Sequence, residues 1–164
     1  DTDGHIDDVA RFIDERTIVH ATAPPDHPDH AALERNRAAL QSARDLDGEP
    51  FELIALPSPA PMHFDYPPDR FGPGGRLPLP ASYANFLITN DAVLVPTFGQ
   101  RTDDEALATL ARAMPRHAIE PVRSDWLIVG RGALHCLTMP EPAAEIGKQP
   151  SPRATDLPGS SRDR

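Results

Sequence analysis

The chain has 164 residues, enough for one domain with a buried core. Its formal net charge of -9 argues against nucleic acid or an anionic membrane surface as the partner, and no apolar run approaches the roughly 20 residues that span a bilayer. Cys136 is the only cysteine, which excludes an intrachain disulfide and a structural metal site built on several cysteines. Nothing in this composition requires an oxidising compartment, and we expect a cytoplasmic protein.

The first half of the chain predicts a strand, a helix and a second strand. Residues 17–20 are rich in β-branched side chains, as strands are. Residues 29–44 are rich in alanine and predict a helix with Asp29 as its N-cap. Residues 51–56 predict a short apolar strand. The segment 57–80 contains eight prolines, which we interpret as a loop with too many prolines for regular structure.

The second half opens with a predicted hairpin and a helix. Residues 86–96 predict two strands around a tight turn at Asn90 and Asp91, because both residue types tolerate a positive φ. The helix that follows is predicted from a capping box formed by Thr102 and Glu105.

Two further short strands are predicted at residues 118–122 and 127–129. Residues 143–164 are rich in Pro, Ser, Arg and Asp without periodicity, and we expect them to form a disordered tail after a domain spanning residues 1–142. The order of elements predicts an α/β fold. No sequence repeat of roughly 20 to 50 residues is visible.

Three islands of polar residues interrupt the apolar, strand-like sequence. In the first, residues 3–8, His5 and Asp7 are two positions apart and would project to the same side of an extended strand. Such a pair can place a proton-transfer group beside a carboxylate, although a solvated acidic turn explains the same pattern. In the second island, residues 79–86, Asn85 could orient a substrate or cap a turn.

The third island, residues 130–138, surrounds the single thiol. Gly130 and Gly132 precede Cys136 and permit a backbone bend that could expose the sulfur at the end of a strand. The alternative is a packed, inert thiol. On a strand, His135 would point away from Cys136, which makes it a poor candidate for the activating base.

The remaining histidines and the single tryptophan give little evidence of a functional site. Five other histidines are scattered without the spacing of metal ligands, so no metal site is predicted: His20, His27, His30, His63 and His117. Trp126 is predicted to be a core residue rather than a platform for substrate.

Taken together, the three islands resemble the agmatine deiminases. Residues 3–12 (DGHIDDVARF) are similar to the histidine motif of that family, residues 80–86 to its central motif, and residues 130–138 to its cysteine motif. The motifs occur in the family's order, and the resemblance extends from residue 1 to about residue 142. The related bacterial peptidylarginine deiminases share these features.

The resemblance implies a pentein fold, a five-bladed α/β propeller of ββαβ-like modules, of which this chain would hold about the C-terminal half. It implies that Cys136 is the nucleophile and forms a covalent amidino-thio intermediate, that His5 acts as general acid and then base, and that Asp7 grips the guanidinium group. Asn85 and Gly132 are assigned to substrate binding. The implied substrate is a small guanidine cation, agmatine, which yields N-carbamoylputrescine and ammonia for putrescine synthesis without a cofactor or metal.

Several alternatives stay open. The same thiol chemistry serves peptidyl- or free-arginine deiminases and arginine-processing transferases, and the chain could also be a non-catalytic remnant. Arg131 stands where the family often has glycine, Met139 and Pro140 stand where many members have glutamines, and the segment 57–80 is longer. The family's second guanidinium-binding carboxylate comes from its N-terminal half, so we expect these 164 residues alone to be inactive. The sequence leaves the oligomeric state open and is compatible with a homo-oligomer.

Overall fold

The computed structural model describes residues 4–68 and 74–141. The predicted tail at 143–164 and the first three residues lie outside this part. The strands are β1 (Ala10–Phe12), β2 (Thr17–Thr22), β3 (Glu52–Pro57), β4 (His63–Tyr66), β5 (Gly75–Pro78), β6 (Leu87–Ile88), β7 (Ala92–Thr97) and β8 (Ala118–Arg123). The helices are α1 (His30–Ser42) and α2 (Thr102–Ala113), and three 3-10 turns cover Ile6–Asp8, Ile128–Gly130 and His135–Leu137. No helix in the described part is long and apolar enough to cross a membrane.

The fold repeats one topology that the sequence does not reveal. In the first three-stranded sheet β1 pairs antiparallel with β2, and α1 then connects β2 to its parallel neighbour β3. In the second sheet β6, β7, α2 and β8 follow the same order with the same senses. A parallel neighbour requires a long crossover connection, which the helix provides in both cases. The predicted α/β class is therefore confirmed, and its unit is a ββαβ module that occurs twice within residues 4–68 and 74–141.

The core draws side chains from both modules. In β2 all residues from Thr17 to Ala21 are buried, as expected of a central strand covered on both faces. The core also takes in the largest buried side chains of the second island, Tyr83 and Phe86, together with Leu110 from α2. Burying such a side chain contributes roughly 1.5–3 kcal/mol, so the segment around Asn85 is fixed by its apolar neighbours.

The interpretation of residues 57–80 as irregular loop is wrong. Strands β4 and β5 pair antiparallel within this segment, with Tyr66 opposite Gly75. β4 contains no proline, and the proline of β5 is its last residue, Pro78, where the ladder ends. The hydroxyl of Tyr66 donates to the carbonyl of Val129 at 2.6 Å, which anchors this hairpin to the loop that leads to Cys136.

The predicted hairpin at residues 86–96 is confirmed, but its turn differs from the prediction. Within the described residues Arg131 is the one non-glycine with a positive φ, so neither Asn90 nor Asp91 uses that conformation. Instead, Thr89 closes the turn, with its amide and hydroxyl both donating to the carbonyl of Ala92.

The predicted capping box at α2 is wrong. Thr102 is the first helical residue, and its hydroxyl lies 2.8 Å from the hydroxyl of Tyr83. At this helix terminus the carboxylate of Asp103 accepts hydrogen bonds from the amides of the preceding loop residues: Phe98, Gly99 and Gln100. The N-cap is Arg101, so Thr102 and Glu105 lie one position too far along the helix to form a capping box.

Two predictions near the third island are also wrong. The predicted strand at residues 127–129 is replaced by the 3-10 turn Ile128–Gly130, which ends at Arg131 in the left-handed conformation. Trp126, predicted to be core, is 78% exposed.

Candidate active site

The three polar islands meet at one place in the fold. The hydroxyl of Ser82 donates to the carbonyl of Asp8 at 2.7 Å, which joins the second island to the first. The amide of His135 donates to the carbonyl of Asn85, which joins the third island to the second. Residues separated by up to 129 positions are thereby brought into contact, so the grouping that sequence similarity indicated is a single site.

Asn85 is the centre of this site. Its Oδ1 accepts hydrogen bonds from the amides of His135 and Cys136, at 2.9 and 3.2 Å. Because backbone amides can only donate, the oxygen must face them and the Nδ2 must face the other way. Nδ2 lies 3.1 Å from Asp7 Oδ2, 2.9 Å from Asp8 Oδ1 and 3.0 Å from the sulfur of Cys136.

The burial of Asn85 bears on its predicted role. It is 0% exposed, which favours a positioning role over direct contact with a substrate, and its assignment to substrate binding stays a prediction. Asn85 contacts both carboxylates and the thiol, and its buried amide is fully satisfied by these and the backbone partners.

Asp7 and His5 lie on a 3-10 turn, not on the extended strand that their spacing predicted. His5 is the N-cap of the turn Ile6–Asp8, and Asp7 is its middle residue. One ring nitrogen of His5, one carboxylate oxygen of Asp7 and the sulfur of Cys136 nevertheless lie within 4.8 Å of one another. The two side chains are therefore close together, as the sequence predicted, but a 3-10 turn brings them together and not an extended strand.

The carboxylate of Asp7 contacts three other side chains of the site, His135, Asn85 and Cys136. Its Oδ2 lies 2.8 Å from His135 Nδ1 and 3.3 Å from the sulfur of Cys136, which donates to it. Partial burial tends to raise the pKa of Asp7, but the hydrogen bonds from His135 and Cys136 and the adjacent imidazole outweigh it and lower that pKa. Asp7 is therefore an ionised carboxylate at neutral pH.

The contact with Asp7 also corrects the prediction for His135. On a strand it would have pointed away from Cys136, but residues His135–Leu137 form a 3-10 turn. The side chains of His135 and Cys136 consequently reach the same carboxylate oxygen.

Cys136 is an exposed free thiol and not an inert packed one. Desolvation of the sulfur raises its pKa; the hydrogen bond from Asn85 lowers it, and the carboxylate of Asp7 raises it again, so that the net shift is upward. The sulfur therefore rests as a thiol that donates to Asp7. A cation bound beside both groups would reverse the repulsion and favour the thiolate.

Gly132 serves the site in a different way from the predicted substrate contact. It is buried, and a β-carbon placed on it would lie 2.7 Å from the β-carbon of Cys136. Glycine is therefore required here to make room for the nucleophile.

Two residues of the site were not singled out from the sequence. Asp8 receives Asn85 Nδ2 beside Asp7. Arg11 donates from Nη1 to the carbonyl of Phe86 at 2.9 Å and places its guanidinium 5.1 Å from the centre of that ring. Burial lowers the pKa of Arg11, while the charges of Asp7 and Cys136 raise it. Both residues lie in the first motif, and an arginine on the otherwise apolar β1 is the signal in the sequence that could have pointed to Arg11.

A cavity of about 510 Å³ opens beside His5 and Asp8. Its other walls come from α1, including Leu33 and Asn36, and from the proline-rich segment, including Pro59 and Met62. The segment that the sequence left as a loop thus forms a wall next to the imidazole. The spacing of His5, Asp7 and Cys136 would also suit a metal ion. The absence of a metal therefore stays a prediction from the sequence.

The site thus combines an exposed thiol, an ionised carboxylate and an imidazole within 4.8 Å of one another on an α/β scaffold, the types of group that thiol-dependent nucleophilic chemistry uses. Comparison with known families identifies the class of protein. The model of the Porphyromonas-type peptidyl-arginine deiminases matches residues 1–142, so the chain belongs to that family.

Relatives and solved structures extend the comparison. A putative agmatine deiminase of Vibrio parahaemolyticus is 34% identical over 152 residues, covering 87% of this chain and 42% of that protein. The agmatine deiminase of Pseudomonas fluorescens is 32% identical over 154 residues, covering 87% of this chain and 41% of that protein.

Among solved structures, a putative peptidyl-arginine deiminase superposes with a TM-score of 0.72 at 36% identity, over 85% of this chain and 39% of that one. A C. jejuni agmatine deiminase with substrate bound gives a TM-score of 0.67 at 32% identity, over 82% of this chain and 36% of that one. The chain thus spans about 42% of the length of the first relative named.

Proposed function

We propose that this chain carries the nucleophile, the proton shuttle and one carboxylate of a guanidine deiminase, with agmatine as the substrate. The observation that carries the proposal is the convergence of His5, Asp7 and Cys136 within 4.8 Å. The products are N-carbamoylputrescine and ammonia, which places the reaction in putrescine synthesis. The relatives named as agmatine deiminases support this substrate.

Substrate binding activates the thiol. A guanidinium cation binds the ionised Asp7 through charge-assisted hydrogen bonds. Its positive charge beside the sulfur offsets the repulsion by which Asp7 raises the pKa of Cys136. The thiol proton passes to His5, so that a thiolate and an imidazolium form together only when a cation is present.

In the first chemical step the thiolate attacks the central carbon of the guanidinium. The carbon–sulfur bond forms and a π electron pair moves onto nitrogen. The imidazolium of His5 protonates the departing nitrogen, the carbon–nitrogen bond breaks, and ammonia leaves. The remaining amidino group stays bound to Cys136 as a covalent thiouronium intermediate.

Hydrolysis reverses the roles. His5, now neutral, takes a proton from water, whose oxygen bonds to the same carbon. The carbon–sulfur bond then breaks as the ureido C=O bond forms, and the His5 proton returns to the sulfur. The remaining hydroxyl proton passes to solvent, where it converts the released ammonia to ammonium. In sum, a guanidinium and water give a ureido compound and ammonium, without any oxidant, reductant or cofactor.

The fold and its completeness form part of the proposal. We assign the two ββαβ modules to two blades of a five-bladed pentein propeller, and we place the enzyme in the cytoplasm. A second guanidinium-binding carboxylate is expected from residues that the relatives possess beyond the matched 41–42% of their length. These 164 residues alone should therefore bind a guanidinium weakly and turn it over poorly.

A second candidate function is deimination of peptidyl or free arginine. The family model itself is of the peptidyl-arginine type. Arg131 is exposed five residues before the nucleophile, and a cation there would suit a substrate that also carries a carboxylate. Agmatine lacks that carboxylate, so competition between agmatine, arginine and an arginyl peptide distinguishes the candidates.

The test of the site uses its single thiol. We would compare alkylation by chloroacetamidine, a cation shaped like a guanidinium, with alkylation by neutral chloroacetamide, each normalised to glutathione and followed by mass spectrometry. Cys136 should favour the cation, and Asp7→Asn should remove most of that preference, whereas Asp91→Asn in the exposed hairpin turn should not. Equal normalised rates in the parent protein would contradict the proposed guanidinium site.

The test of turnover uses the intact protein. Ammonia release from agmatine should vanish in Cys136→Ala while agmatine binding persists, because the substitution removes the nucleophile and leaves Asp7 in place. Activity of Cys136→Ala within tenfold of the parent would contradict the assignment of the nucleophile.

A further inference from the structure

We propose that His135 is a positioning residue of this site: its Nδ1 holds the carboxylate of Asp7 so that one oxygen faces the thiol and the other is turned toward the substrate. The inference rests on the proposed deiminase function for its chemical meaning. Its evidence is the geometry of His135, which lies 2.8 Å from Asp7 Oδ2.

The backbone is built to place this imidazole. Leu134 precedes the turn in a helical conformation, and the turn His135–Leu137 brings two consecutive side chains to the same carboxylate. The amide of His135 is held twice, by the carbonyl and by the Oδ1 of Asn85. The side chain of His135 is 29% exposed and that of Asp7 is 15% exposed, so their contact is partly shielded from solvent.

The contact sets the orientation of Asp7. Within the described residues, the side-chain hydrogen bonds to the carboxylate of Asp7 go to Oδ2, from His135, Asn85 and Cys136. Oδ1 takes none of these three donors and is therefore the oxygen that can receive a guanidinium N–H. Without His135, the carboxylate would keep only the Asn85 amide and the thiol as side-chain donors, and its rotation would be less restricted.

The contact also sets the charge felt by the sulfur. The charged and titratable groups around Cys136 are His5, Asp7 and Asp8 from the first turn, Arg11 from β1, and His135 itself. Asp7 opposes ionisation of the thiol. An Nδ1–H donated to the same carboxylate oxygen draws negative charge away from the sulfur, so His135 makes the thiolate less costly.

The experiment measures thiol ionisation directly and needs no turnover. The rate of alkylation of Cys136 by iodoacetamide would be followed against pH by mass spectrometry, since the chain has no other cysteine. The variants are His135→Ala and His135→Gln, neither of which places a donor at the Nδ1 position, and His135→Asn, whose amide nitrogen can take that position. His117→Ala, in the loop before β8, is the matched control.

We expect the alkylation midpoint of His135→Ala and His135→Gln to rise by about one pH unit, which is roughly a tenfold lower rate below the midpoint. His135→Asn should recover most of the parental rate, and His117→Ala should match the parent. Thermal unfolding of each variant shows which are folded, and His135→Gln gives the answer if His135→Ala does not fold.

Parental profiles in His135→Ala and His135→Gln would overturn the inference, and so would a loss in His135→Asn as large as in His135→Ala. The outcome is separate from the proposed function. A shifted profile in a protein that releases no ammonia from any guanidine would leave the positioning role intact and refute the deiminase activity.

Discussion

Gly132 lies directly against Cys136: a β-carbon on Gly132 would lie 2.7 Å from the β-carbon of the cysteine and 3.5 Å from its sulfur. Carbon atoms in contact normally keep about 3.5–4.0 Å apart, so any side chain at position 132 must displace the nucleophile. Position 131 thus favours glycine because its φ is positive, whereas position 132 favours glycine because a side chain there would collide with Cys136.

Gly132→Ala should therefore disable the site without a large change in the fold. Because a displacement of about 1 Å can cost roughly 100-fold in rate, we expect at least a tenfold loss in ammonia release by the intact protein. Gly130→Ala is the control, since a β-carbon there meets nothing within 4 Å. Equal activities of the two variants would show that the nucleophile tolerates the displacement.

Asn85→Asp tests the buried amide that joins the three islands. The new side chain keeps an acceptor for the amides of His135 and Cys136 but replaces the donor that faces Asp7 and Asp8 with a third carboxylate. Loss of a buried partner costs about 1–3 kcal/mol, and we expect at least that loss in urea unfolding at neutral pH. The deficit should shrink on acidification, because a protonated carboxyl group can donate again.

The control for this substitution is Asn90→Asp in the exposed turn between β6 and β7. It makes the same chemical change without burial and should alter the free energy of unfolding by less than about 0.5 kcal/mol. A similar, small effect at both positions would mean that Asn85 does not hold the site together.

The parts of the fold that the sequence predicted are those determined by neighbours along the chain. The β-branched run in β2, the helix beginning at His30 and the hairpin of β6 and β7 all follow from local patterns. The β4–β5 hairpin was missed because the number of prolines was weighed without their positions. The α2 capping box was predicted wrongly because the helix begins at Thr102 rather than after it, where the Thr102 hydroxyl contacts the distant Tyr83.

The sequence predicted which residues form the site but not how they are arranged. The motifs identified His5, Asp7 and Cys136, and the structure brings them together. Their proximity depends on two 3-10 turns that periodicity does not reveal, since each is only three residues long. For the same reason, the contact of His135 with Asp7 could not be derived, because a strand would have placed this side chain on the opposite face.

Arg131 adopts a φ of 69° at the end of the turn Ile128–Gly130. A side chain costs roughly 1 kcal/mol in this conformation, which glycine adopts freely. Arg131→Gly and Arg131→Ala both remove whatever the arginine side chain contacts, so their difference isolates the backbone. We expect the glycine variant to be more stable than the alanine variant by about 1 kcal/mol in urea unfolding; a more stable alanine variant would contradict the left-handed conformation.

His20 should make the stability of the protein depend on pH. It is 4% exposed in β2 beneath α1, and desolvation lowers its pKa despite a weak contact with the carbonyl of Ala21. A histidine whose pKa is lower in the folded state stabilises the fold fully above its unfolded pKa, near 6.5. That contribution is lost as the pH falls from there toward the folded pKa, because the unfolded chain binds the proton first.

Urea unfolding between pH 8 and pH 5 would therefore show a steeper loss of stability in the parent than in His20→Gln. The difference in slope is at most about 1.4 kcal/mol per pH unit, the limit for one proton. The pKa of Asp7 is also lowered, but its contribution is lost only below about pH 4 and does not overlap this window. His117→Gln, at a half-exposed position, should follow the parent. Parallel curves for the parent and His20→Gln would mean that His20 gains its proton as easily in the folded protein as in the unfolded chain.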